Sequence, residues 1–124
     1  MKSMNILVVG CGAMGAIFAG LLAKSGNDVS VLIRNKDTAD LINENGIRVE
    51  GASGDTQQKV VALTKDDEGS FFDLIILAVK ATQIENAAKD VKKFISDKSM
   101  ILTIQNGLGS ADIVASILGE SRLM

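Results

Sequence analysis

Gly10-Cys11-Gly12-Ala13-Met14-Gly15 has the G-x-G-x-x-G spacing. It directly follows the apolar run Ile6-Leu7-Val8-Val9 and opens a helical pattern, the context in which such glycines hold a dinucleotide. Each glycine meets a physical need. Gly10 permits the sharp turn out of a strand, Gly12 lets backbone approach a pyrophosphate, and Gly15 lets the helix pack close to the strand. The phosphates then lie on the free N–H groups and positive end of that helix. Cys11 reads as a small residue inside the turn. A reactive thiol would need a positive neighbour and exposure.

Three further polar residues belong with this loop. The second strand, Asp28 to Arg34, ends in a guanidinium with Lys36 nearby. A cradle for NAD places an acid there, on the ribose 2′-hydroxyl. A carboxylate would repel a 2′-phosphate, whereas a guanidinium grips it through two parallel hydrogen bonds. Such a contact, about 1.5–3 kcal/mol, corresponds to roughly 10- to 100-fold preference. NADP(H) is therefore the expected cofactor.

Lys80 ends the strand Leu74–Val79, and Asn106 follows the strand Met100–Ile104. Ligands of open α/β sheets bind beyond the carboxyl ends of the strands, so Arg34, Lys80 and Asn106 should share one edge with the glycine loop. Lys80 can donate to a ribose, a substrate carbonyl or a carboxylate; Asn106 donates and accepts at once. Each also has a plain reading, Lys80 as a solvated strand end and Asn106-Gly107 as a turn.

These residues need a scaffold, and the chain supplies its pattern. Ala13 to Lys24 carries Met14, Ile17, Phe18, Leu21 and Leu22 at helical spacing, with Gly26 as a stop. Asn35 or Asp37 can cap a short helix that Gly46 ends. Ile47 to Glu50 and Gln57 to Thr64 read as strands around a turn-forming stretch, paired as a hairpin or joining the main sheet separately. Phe71 to Val79 holds a doubly buried strand, Gln83 to Ile95 a helix, and Met100 to Ile104 a strand; Ser110 caps a final helix over Ala111–Leu118. Alternating apolar strands and helices imply an α/β fold, a doubly wound parallel sheet of the Rossmann dinucleotide-binding type.

Composition narrows the function classes. The 124 residues, 47% hydrophobic, make one domain over 1–124 with a core of its own. Thirteen Lys+Arg against 15 Asp+Glu, with four Phe and no Tyr or Trp, argue against nucleic acid as a partner. The absence of histidine excludes Ser-His-Asp chemistry and His-bearing metal sites within these residues. One cysteine excludes an internal disulfide and fits a reducing, cytoplasmic setting. The uncharged stretch Ile6–Ala23 is long enough for a membrane helix, but its clustered glycines split it into a strand and a helix. No membrane association is expected.

Gly-Cys-Gly-Ala-Met-Gly at 10–15, Leu-Ile-Arg at 32–34, Leu-Ala-Val-Lys-Ala-Thr-Gln at 77–83 and Ile-Gln-Asn-Gly-Leu-Gly at 104–109 together resemble the ketopantoate reductase (2-dehydropantoate 2-reductase) family. The resemblance covers the whole chain and corresponds to the family's N-terminal half. It implies that the glycine loop and Arg34 bind NADPH, that Lys80 lies near the nicotinamide-side ribose, and that Asn106 reaches nicotinamide and substrate. The implied reaction reduces the ketone of 2-dehydropantoate, a 2-oxo acid, to pantoate on the way to pantothenate and coenzyme A. The family's proton-donating lysine sits in a C-terminal helical domain to which nothing here corresponds, so no catalytic residue is assigned within these 124 residues. Two other readings share the N-terminal pattern. One is the cofactor domain of another NADP-dependent 2-oxoacid or 2-hydroxyacid dehydrogenase; the other is a non-catalytic nucleotide-sensing module, against which Arg34 counts. An isolated half would expose the apolar surface that faces the second domain, so self-association is expected of it.

Overall fold

Asn-Ile-Leu-Val-Val is β-branched-rich and bounded by glycine, and it forms β1 (Asn5–Val9). Gly10 follows with φ +89°, and α1 (Ala13–Lys24) begins three residues later. The uncharged stretch is thus strand plus helix, and no described helix is long and apolar enough to cross a membrane. The computed structural model describes residues 4–10, 13–49, 56–64, 71–79 and 81–103. The final helix expected over Ala111–Leu118 lies outside them.

The chain continues through β2 (Asp28–Leu32), α2 (Lys36–Asn45), β3 (Ile47–Val49), β4 (Thr56–Gln58), β5 (Val61–Leu63), β6 (Phe72–Leu77), α3 (Ile84–Asp90) and β7 (Ile95–Thr103). Five strands form one parallel sheet in the order β5-β2-β1-β6-β7. Counted along the chain within this sheet, that order is 3-2-1-4-5, the doubly wound arrangement expected from the sequence. The order reverses at β1. Val9 at its carboxyl end is in register with Leu32 of β2 on one side and Leu77 of β6 on the other.

Side-chain alternation along the strands builds two cores. Leu7, Val9, Leu32, Ile75 and Leu77 face α3, packing on Ile84, Ala87, Ala88 and Val91. Ile6, Val8, Val29, Val31, Ile33 and Ile76 face the other way, with Ala19 of α1 and Ala39 of α2. Strands buried on both faces explain why these segments read as continuous apolar runs.

Three expectations change. The stretch Gln57–Thr64 divides: β4 pairs antiparallel with β3, and β5 joins the main sheet beside β2. One polar–apolar segment thereby serves two sheets, with Val60 buried between its halves. The helix expected to Ile95 stops at Asp90. A 3-10 turn over Lys92–Phe94 then carries Phe94 into the core, edge-on to Phe72 with ring centroids 5.8 Å apart. β7 consequently starts at Ile95, five residues before the expected Met100. Ser99, almost fully buried, donates its hydroxyl to the Phe72 carbonyl at 2.5 Å across the register slip between β6 and β7.

Candidate functional site

The glycine turn forms the floor of the site. A Cβ on residue 10 would stand 2.8 Å from Val79 Cγ1 and 3.0 Å from the Ala78 carbonyl, so only glycine fits. Backbone bonds fix the turn: Gly10 N–H donates to Leu32 O at 3.1 Å, and Ala78 N–H donates to Val9 O at 2.9 Å. These tie it to both neighbouring strands. The backbone of Ala13, Met14 and Gly15 makes the first turn of α1, whose sequence carries no acid there. The opening N–H groups of a helix have no partner within it, and its positive end favours an anion.

Beyond the carboxyl ends of β1 and β2 lies a cavity of about 280 Å³. Val9, Gly10 and Leu32 form its base. Ile33, Arg34, Asn35 and Thr38 wall it on the α2 side, and Val79, Gln83, Ala87 and Asp90 on the α3 side. The lining is mainly apolar with a polar rim, as expected of a slot for one flat heterocycle and its sugar.

Arg34 stands at this mouth, exposed and two residues beyond the observed end of β2. The ladder outlasts the strand by one bond, Ile33 N–H to Leu63 O at 2.7 Å. Asn35 then takes extended backbone, and its Oδ1 caps α2 by accepting from the N–H groups of Asp37 at 2.8 Å and Thr38 at 3.3 Å. The cap fixes where the strand stops and so where Arg34 projects. Arg34 also lines a second, polar cleft of about 390 Å³ with Asn86, Lys89 and Asp90.

The structure therefore brings together Gly10, the first turn of α1 and Arg34. Cys11, Gly12, Lys80 and Asn106 lie outside the described residues. Sequence reasoning missed Thr38, Gln83 and Asp90 in the lining. Their signal was positional: Gln83, Ala87 and Asp90 are spaced to share one face of a helix. Among the described residues no group of three or more His, Cys, Asp or Glu could hold a metal ion.

Comparison with known proteins gives the chain's family and supports its fold. The model of the family described as "Ketopantoate reductase PanE/ApbA" matches residues 6–124. The 2-dehydropantoate 2-reductase of Pyrococcus abyssi is 37% identical over 118 residues, 95% of this chain and 38% of that protein. That of Aquifex aeolicus is 32% identical over 122 residues, 98% of this chain and 37% of its own length. The solved PanE/ApbA family ketopantoate reductase from Ralstonia eutropha superposes with TM-score 0.84 at 32% identity, covering 94% of this chain and 39% of that one. D-mandelate dehydrogenase in ternary complex with NADH and anilino(oxo)acetate gives 0.88 at 28% identity, covering 97% and 39%. The chain thus spans less than two-fifths of the length of these relatives. With the doubly wound sheet, the glycine turn at its reversal point and a family match from Ile6 to Met124, the chain belongs to the ketopantoate reductase family.

Proposed function

We propose that this chain is the NADPH-binding part of an oxidoreductase that reduces 2-dehydropantoate to pantoate. The observation that carries the reading is Arg34, a guanidinium at the mouth of an apolar slot whose β2–α2 wall contributes no carboxylate. Adenine fits the slot between Ile33 and Ala87, and the 2′-phosphate meets Arg34. The pyrophosphate crosses the Gly10–Gly15 turn onto the start of α1. When bound, the reduced nicotinamide supplies the hydride.

The chain's own residues bind and orient. The close fit of Gly10 against Ala78 and Val79 fixes the sharp exit from β1 ahead of the phosphate-binding residues. By family resemblance, Lys80 holds the nicotinamide-side ribose and Asn106 contacts both nicotinamide and substrate. The proton for the ketone oxygen comes from outside residues 1–124. Calorimetric titration with NADPH and NADH tests the reading: tighter NADPH binding by about 10- to 100-fold is expected. Equal affinities would remove the basis for the phosphorylated cofactor.

A second reading, a reductase of another 2-oxo acid, is favoured by the D-mandelate dehydrogenase likeness. The two readings share the slot and differ in substrate. Turnover of 2-dehydropantoate against other 2-oxo acids, by a longer protein that contains these residues, separates them.

A further inference from the structure

We propose that Asp90 reads the base of the cofactor, its carboxylate accepting a hydrogen bond from the exocyclic amine of adenine. The inference rests on the adenosine slot described above and names the residue that selects what fills it.

Asp90 is the one carboxylate among the described lining of the slot, and it is half-buried there. Its side chain makes no hydrogen bond or ion pair with any described residue, whereas adjacent Lys89 is engaged by Glu85 at 3.4 Å. It also ends α3, where the negative end of the helix gives an acid no support.

Its charge suits the base better than the phosphate. Gln83, Ala87 and Asp90 line the slot from the α3 side and Ile33 and Arg34 from the α2 side, and Asp90 and Arg34 also border the second cleft together. A ring seated against Ala87 would present its edge to groups at the ends of the α3 wall. An ionised carboxylate only accepts hydrogen bonds. It therefore favours an amine and disfavours a phosphate, which falls to Arg34. In a mainly apolar slot, an acceptor left without its donor makes discrimination steep. In the larger polar pocket at the opposite end of the sheet, the side chains of Asn5, Asn27 and Asn43 already bond backbone groups.

The test is calorimetric binding of NADPH, and of its analogue with unsubstituted purine in place of adenine, to the full chain and to Asp90→Ala. The intact protein should bind NADPH about tenfold more tightly than the purine analogue. In Asp90→Ala that ratio should fall to about one, while the NADPH-to-NADH ratio stays unchanged. Three outcomes overturn the proposal. They are equal binding of NADPH and the purine analogue by the intact protein, an undiminished ratio in the variant, or a variant that alters the NADPH-to-NADH ratio instead. The first needs no variant, so it decides even if Asp90→Ala fails to fold. Failure of the intact protein to bind NADPH at all would sink the adenosine reading as well. Binding that depends on Arg34 but ignores the base would sink the Asp90 inference alone.

Discussion

Asn43 of α2 holds the backbone of Ala62 in β5 through both ends of its amide. Its Nδ2 donates to the Ala62 carbonyl at 3.0 Å, and its Oδ1 accepts from the Ala62 N–H at 2.8 Å. β5 is the edge strand and pairs with β2 on its other side. The Asn43 amide thus stands in for a missing strand, covering an edge that would otherwise invite pairing. It also joins the helix capped beside Arg34 to the strand next to β2, so the wall of the slot is braced at both ends.

Replacing Asn43 by Ala should therefore lower stability by about 1–3 kcal/mol, since two backbone groups lose partners in a partly buried setting. Urea unfolding followed by circular dichroism measures it. A change under about 0.5 kcal/mol, the range of ordinary surface substitutions, would mean that water replaces the amide without loss.

Gly10→Ala should weaken both stability and dinucleotide binding. The residue's φ of +89° is strained for alanine, and the added methyl would meet Val79 Cγ1 at 2.8 Å. Val79 is β-branched and stiff, so backbone must give. A loss of about 1–3 kcal/mol is expected, with cofactor affinity reduced in the protein that remains folded. An unchanged denaturation midpoint and unchanged NADPH binding would show that the turn relaxes freely.

How far the sequence announced this geometry depends on how local each cause was. The positive φ at Gly10, α1 and the capped start of α2 follow from residues within a few positions of one another, and they stand where expected. The division of Gln57–Thr64 was not legible, because it depends on two partners, β3 and β2, distant in the chain. The early start of β7 was hidden by Ser96-Asp97-Lys98-Ser99, which reads as a loop; the bond from Ser99 to Phe72 spans 27 positions. Within the site, Arg34 was legible because a charge closing an apolar run is unusual. Asp90 was not, because an acid on a short helix with other charges looks like solvated surface.

Arg34→Ala should reduce NADPH affinity by roughly 10- to 100-fold and leave NADH affinity within about threefold. The guanidinium is exposed, so the folded state should keep its stability within about 0.5 kcal/mol. That separates loss of a ligand contact from loss of the fold. Equal falls for both cofactors would assign Arg34 to the adenine or the pyrophosphate instead of the 2′-phosphate.

The last expectation concerns turnover. Hydride transfer to a ketone leaves an alkoxide, and a positioned general acid typically contributes about 10²- to 10⁴-fold. The chain has no histidine, and Asp90, the one acid among the described residues lining the slot, lies where the adenosine is proposed to bind. Given NADPH and 2-dehydropantoate, the 124-residue chain should therefore oxidise cofactor at least about 100-fold more slowly than relatives of which it spans under two-fifths. The absorbance of NADPH at about 340 nm follows the reaction, with matched protein concentrations and Arg34→Ala as the control for bound cofactor. A rate comparable to those relatives would mean that the acid lies within residues 1–124, with Lys80 the first candidate to substitute.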